Sequence, residues 1–244
     1  MNYKVFFIAI FFFISNAFSF DANLAKEANE NYKNSRYKEA AEIYEKLLRE
    51  EPSNPDLLYN AANSYYRLNE NEKAMLYYLK AFKSNPRDED IFNNMNYLAR
   101  QNGLILFPND VPLLIYKFYY FLSDLEIITI INISIWLILL SASFFMLGRY
   151  KELAVKIIFV FSLLAIFSGI LYFMRRNTAF HNTALVTSPQ AQIMSGPGDN
   201  FKLIANINSF KIVKILSETP DYSEIGLMNE GIKGWIKNSD ISKI

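Results

Sequence analysis

The sequence contains no cysteine and a single histidine, His181. The first absence removes disulfides, thiolate nucleophiles and thiolate metal sites, although it fixes no compartment. The second removes a histidine pair for a metal and any second imidazole for acid–base exchange. Excess charge is missing too, with 25 basic against 24 acidic side chains. No basic stripe is available to neutralise phosphates, which argues against nucleic acid as a partner. The acidic groups Glu50-Glu51 and Asp88-Glu89-Asp90 fall at the ends of predicted helices. Solvation and the helix dipole account for them without a catalytic carboxylate pair. Ser195-Gly196-Pro197-Gly198 lacks the Gly-Lys-Ser/Thr continuation of a phosphate loop and reads as a turn. The expectation is a non-enzymatic protein with no cofactor and no metal.

The apolar residues are concentrated in a few stretches. Lys4, the apolar run at 5–14 and Ala17-Phe18-Ser19 form the n-region, h-region and small-residue site of a signal peptide over residues 1–19. Cleavage after Ser19 is expected, with an uncleaved anchor as the alternative; in both cases the repeats are exported. Segments 127–147 and 153–174 are each long enough to cross a bilayer core of about 30 Å. Gly148 to Glu152 form a turn between them, and Arg175-Arg176 stop the second. Two membrane helices within 125–174 return the chain to its starting side, and a linker occupies 175–183. Ser123 and Glu126 have the spacing of a capping box at the start of the first span. On that span Thr129, Asn132, Trp136 and Ser143 share a face. Asn132 is costly in lipid and is expected to pack on the second span near Ser168 and Gly169; a partner's helix is the alternative. The stretch 104–124 is aromatic-rich around Lys117 and reads as an interfacial segment, with a buried soluble helix as the alternative.

Between the signal and the spans, Ala28, Tyr32, Ala40, Tyr44 and Pro52 recur 34 residues later as Ala62, Tyr66, Ala74, Tyr78 and Pro86. The alanines, with Ala81, mark close helix approaches, and each proline closes the second helix of its unit. Residues 88–103 start a third unit with Phe92, Met95, Asn96 and Ala99 at first-helix positions, ending at Gly103. No second helix is expected after it, so this is a capping helix. Period and pattern resemble the tetratricopeptide repeat over residues 20–103. In that family the first helix of each unit lines a concave peptide-binding surface. The resemblance implies a groove of Asn29, Tyr32, Lys33, Tyr59, Asn63, Tyr66, Arg67, Asn93, Tyr97 and Arg100. Packing between neighbouring units is the alternative for Tyr32 and Tyr66. A clamp for a terminal carboxylate is not expected. Asn29 and Asn60 suit it, but Ala25 stands where a lysine is required and Asp90 where a base is wanted.

Residues 184–244 change to short β-rich runs at 184–187, 190–194, 201–207, 211–216, 222–228 and 232–236, separated by turn residues. Such spacing predicts a small all-β barrel. Ser195-Gly196-Pro197-Gly198 and Gly234-Trp235-Ile236 resemble the bacterial SH3-like domain. Tyr222 and Trp235 are candidate contacts there, Trp235 being otherwise a core residue. The whole is a multidomain membrane protein: all-α repeats, a two-helix transmembrane hairpin and a small barrel. In this order it resembles the tetratricopeptide member of the bacterial aerotolerance-operon (Bat) proteins. That resemblance implies an inner-membrane location with both soluble domains in the periplasm. It also implies von Willebrand-type membrane partners, an AAA-type chaperone system and a scaffold role in aerotolerance or stress. The alternative is a cell-wall sensor whose barrel binds peptidoglycan.

Overall fold

The computed structural model describes residues 21–107, 112–148, 150–175, 182–227 and 230–244. The expected signal peptide, His181 and most of the expected linker lie outside the described residues.

Five helices build the N-terminal unit: α1 (Ala22–Lys33), α2 (Tyr37–Glu50), α3 (Pro55–Arg67), α4 (Asn71–Ser84) and α5 (Glu89–Gln101). Three of their starts are fixed by side-chain caps. Asp21, Asn54 and Asp88 each accept two backbone N–H groups of the first turn of α1, α3 and α5, the groups with no partner inside the helix. Pro55 sits at the first position of α3, where its missing N–H costs nothing. The turns inside each unit pass through Ser35 and Asn69, both at φ 59° and 34 positions apart. Ala28, Ala40, Ala62, Ala74 and Ala81 are fully buried, so the helices meet at alanine.

The aromatic segment serves two faces. Tyr116 of α6 (Leu113–Tyr119), with Phe107 and Tyr120, joins Phe82 and Phe92 of the repeats in ring contacts at 5.1–6.1 Å. Leu114, Ile115 and Phe118 point outward and are more than half exposed. The last apolar face of the repeats is therefore closed by α5 together with these rings.

Two long apolar helices come next, α7 (Asp124–Met146) and α8 (Lys151–Arg175), both long and apolar enough to cross a membrane. The capping box at Ser123 and Glu126 forms with both hydrogen bonds. The expected packing of Asn132 is corrected here. The buried residues of α7 are Ile127, Ser134 and Ser141, at a spacing of seven, and those of α8 include Ala154 and Ser168. Ser134, Ser141, Ala154 and Ser168 are small, and side chains of that size on a seven-residue seam let two helix backbones approach closely. Asn132 lies off that seam, exposed, and its Nδ2 donates to the Ile128 carbonyl of its own helix at 2.9 Å. Thr129 and Ser143 likewise donate to the carbonyls of Leu125 and Leu139, and Trp136 is exposed beside them. The backbone thus satisfies these polar groups without a second helix.

The base of the hairpin is pinned to the repeats. Arg175, 3% exposed, donates from Nη1 to the Leu122 carbonyl at 2.5 Å and to Asp124 Oδ1 at 3.3 Å, and from Nη2 to the Tyr119 carbonyl. Its guanidinium also lies over the rings of Tyr119 and Tyr120 at 5.3 and 5.2 Å. Arg87 pairs with Glu126 and Lys117 with Glu89 at 2.6 and 2.8 Å. Both pairs are exposed, so each is worth about 0–1 kcal/mol.

The C-terminal unit is one antiparallel sheet of β1 (Thr183–Val186), β2 (Ala191–Met194), β3 (Leu203–Ile207), β4 (Ile212–Glu218), β5 (Tyr222–Gly226), β6 (Lys233–Lys237) and β7 (Ile241–Lys243). A single 3₁₀ turn, Asn238–Asp240, precedes β7. The strand order is β3-β2-β6-β5-β4-β1-β7. Ile207 of edge strand β3 and Ile241 of edge strand β7 share one core with Val186, Ile193, Val213, Ile225 and Ile236. A single sheet whose two edges meet in one core is rolled. Leu185, Phe210, Ile212 and Ile244 instead pack into the core of the repeats. Ser209 Oγ donates to Glu72 Oε1 at 3.0 Å and Lys83 Nζ to the Ile244 carbonyl at 2.9 Å. Glu72 and Lys83 are both on α4, so the sheet unit sits on a second helix and leaves the first helices uncovered.

Candidate partner-binding groove

The first helices α1, α3 and α5 lie side by side in the same direction. At one end Arg67 of α3 reaches the Tyr32 hydroxyl and lies over the Tyr37 ring at 5.6 Å. At the other, Asp88 and Asp90 act on Tyr59. Each first helix carries a base in its last turn, Lys33, Arg67 or Arg100, and α3 and α5 carry acids in the first turn. The helix dipole favours that placement. Because the three helices run the same way, their ends line up into a basic rim and an acidic rim with tyrosines and asparagines between.

The floor between the rims is a repeating hydrogen-bonded pair. Tyr44 of α2 donates to Asn29 Oδ1 at 2.7 Å, and 34 positions later Tyr78 of α4 donates to Asn63 Oδ1 at 2.5 Å. Asn94 Nδ2 donates to the Tyr59 hydroxyl at 2.9 Å and reaches Asn63 Oδ1 at 3.5 Å. With Oδ1 engaged by a buried hydroxyl, Asn29 and Asn63 are each held with the NH2 group turned away from the second helix, Asn29 towards solvent and Asn63 towards Tyr59. Tyr97, 58% exposed, accepts from Gln101 Nε2 at 2.8 Å and is hydrogen-bonded to Tyr66.

Of the ten expected residues, Asn29, Lys33, Arg67, Asn93, Tyr97 and Arg100 are exposed, and Tyr32, Tyr59, Asn63 and Tyr66 are half-buried. Tyr32, Tyr59 and Tyr66 also pack against the repeat core. The Asn93 side chain makes no hydrogen bond among the described residues; its neighbour Asn94 makes the floor contact. Sequence reasoning missed Asn94 and the supporting Tyr44 and Tyr78. Asn60 and Asn94 are 34 apart, and the Asn–Tyr separation of 15 recurs in both units, a signal that was present.

Burial, and secondarily the charge of Tyr32, pushes the Tyr44 hydroxyl from its ordinary 10.0 up to about 12. Burial also raises Tyr78. Both phenols therefore stay protonated donors through the neutral range. A folded pKa above the unfolded one gives stability that is complete below pH 10.0 and lost as pH climbs towards about 12. The expected result is an alkaline unfolding transition in which tyrosinate absorbance of the buried rings appears together with loss of helical signal. Ionisation of all tyrosines near pH 10.0 with helices intact would contradict the buried floor.

A second surface lies on the sheet unit. Trp235 alternates with buried Gly234 and Ile236 on β6 and is half-buried on the outer face, so it is outside the core. A Cβ on Gly234 would fall 2.5 Å from Ile193 Cγ2 and 2.7 Å from the Met194 carbonyl oxygen, so only glycine lets β2 run beside Trp235. Register pairs Trp235 with Glu224 and Tyr222 with Lys237. Asp199 accepts from the Tyr222 hydroxyl and from Lys237 Nζ, both at 2.9 Å. Those hydrogen bonds, the one from Lys237 first, hold its carboxyl below the usual range.

No group of three or more acidic or histidine side chains positioned for a metal occurs among the described residues. Residues 31–93 match the tetratricopeptide repeat family. The match covers most of the first unit, the whole second unit and the start of α5. No curated protein matches the chain. The chain therefore contains tetratricopeptide repeats, which as stacked helical units present concave surfaces that bind protein partners.

Proposed function

We propose that the chain is a non-enzymatic, membrane-anchored scaffold that captures protein partners in the concave groove of its repeats. The observation that carries this reading is the groove floor. Its asparagines are oriented by buried tyrosines, and it is left uncovered because the sheet unit docks on α4. Preset amides and rigid rings bind an extended segment with little ordering cost. The rim of Lys33, Arg67 and Arg100 suits a partner with acidic side chains on that side. In this reading α7 and α8 cross a bacterial inner membrane, an export signal places both soluble units in the periplasm, and the sheet unit is an SH3-like domain. Resemblance to the Bat proteins extends the proposal to von Willebrand-type membrane partners, an AAA-type chaperone system and a role in aerotolerance or stress.

The test spares the floor, since Asn63 is the acceptor of a buried hydroxyl. Arg67→Ala with Arg100→Ala removes two exposed bases and should leave helical content unchanged, with melting lowered only slightly by the loss of the Arg67 contacts to Tyr32 and Tyr37. Partner recovery from intact cells by crosslinking and mass spectrometry is expected to fall about tenfold, the order of loss when an interface anchor is removed. An unchanged partner set in the folded double variant would remove the groove from the account.

The outward Trp235 beside Tyr222 supports a second reading, peptidoglycan binding by the sheet unit. Aromatic faces of this kind offer rigid contact area with a polar edge. Retention of the full chain on purified peptidoglycan, lost in Trp235→Ala, would favour this reading.

A further inference from the structure

A cavity of about 360 Å³ opens where the repeats, the first turn of α7 and the C-terminal strand meet. Lys80 and Lys83 of α4 line it with the hydroxyls of Ser53 and Ser84. Lys83 is engaged with the Ile244 carbonyl. Asp124, the one carboxylate side chain lining the cavity among the described residues, is paired with buried Arg175 at 3.3 Å. Lys80 makes no ion pair among the described residues, and burial, then Lys83, lowers its pKa. A half-buried ammonium with a second one beside it is poorly placed unless an anion shares the space. The cavity's remaining wall is apolar, formed chiefly by Leu58 and Leu125. Leu125, 69% exposed, lies at the start of the apolar run of α7.

We propose that this cavity binds the phosphate of an anionic phospholipid, with Lys80 as its ion-pairing residue and the acyl chains leaving along α7 past Leu125. The proposal rests on the reading of α7 and α8 as membrane spans. Two lysines and serine hydroxyls supply donors for phosphate oxygens. The apolar wall on the side of the span is what distinguishes a lipid from a free phosphate as the source. A lipid bound here would bridge the repeats, the hairpin and the sheet unit, and so would hold the groove at a fixed height above the bilayer.

The experiment uses the full chain in detergent, with native mass spectrometry counting retained phosphatidylglycerol against phosphatidylcholine. Wild type should retain the anionic lipid, and Lys80→Gln should hold it about fivefold more weakly, the effect of one basic side chain at an anionic surface. Lys80→Arg should retain it, and Lys46→Gln, on the exposed face of α2, should not differ from wild type. Equal retention by wild type and a folded Lys80→Gln variant would overturn the site, as would inorganic phosphate displacing the lipid at similar concentration. Alkaline extraction of membranes separates the two claims. A chain that stays in the membrane while Lys80→Gln changes nothing refutes the cavity alone. A chain that washes off refutes the spans and the lipid site with them.

Discussion

Replacing Tyr78 by alanine is expected to destabilise the repeats by about 3–5 kcal/mol, the cost of deleting a large buried aromatic side chain. Tyr78 is 2% exposed and stands near the middle of the array, between α3 and α5. Its ring approaches that of Tyr59 at 6.0 Å, and its hydroxyl holds Asn63. Tyr78→Phe keeps the ring and loses the hydrogen bond, so about 1 kcal/mol is expected. Urea or thermal unfolding of the two variants, monitored by helical signal, measures the difference. The milder variant also reads function, because Asn63 would keep its place on the backbone but lose its orientation. Similar stability losses for Phe and Ala would assign the effect to the hydrogen bond and contradict the packing account.

Arg175→Ala should be as damaging at the other end of the unit, by about 3–5 kcal/mol, the cost of removing one partner from a buried ionic network. The Tyr119 and Leu122 carbonyls and Asp124 all face this guanidinium. Without it those acceptors lose their shared donor, and the aromatic segment loses its attachment to α8. Arg175→Lys preserves the charge but cannot fork across two carbonyls, so an intermediate loss is expected. Melting of the purified full chain in detergent, with protease sensitivity of the segment between α5 and α7, reports the effect. An alanine variant as stable and as protease-resistant as wild type would mean that the hairpin and repeats are joined by surface pairs alone.

The repeats were legible because their period is written in residue types that packing demands. Alanine recurs where helices touch and tyrosine where gaps need filling, so the period alone places five helices. The groove was legible only in outline, since exposure of a first-helix position follows from the period but its hydrogen-bond partner does not. Asn93 and Asn94 differ by one position, and only the helix rotation tells which reaches Tyr59. The apolar hairpin of α7 and α8 shows the same limit. Polarity drew attention to Asn132, whereas the contact is made by Ile127, Ser134 and Ser141 at a seven-residue spacing. An amide can bond its own helix, so polarity alone does not point to a partner. Arg175 read as the stop of a span because its partners, the backbone carbonyls of 119 and 122, carry no side-chain signature. β7 was missed for its shortness: three residues after a 3₁₀ turn leave no alternating pattern to detect.

The central claim, capture of a protein partner in the concave groove, is tested most directly by a photo-crosslinking side chain placed at single positions of the otherwise native protein in cells. Tyr97 lies exposed on the groove and Lys46 exposed on the second helix α2. The account predicts partner adducts from Tyr97, lost when Arg67→Ala and Arg100→Ala are added, and none from Lys46. Adducts that form equally from Lys46, or that survive at Tyr97 without the two arginines, would contradict it.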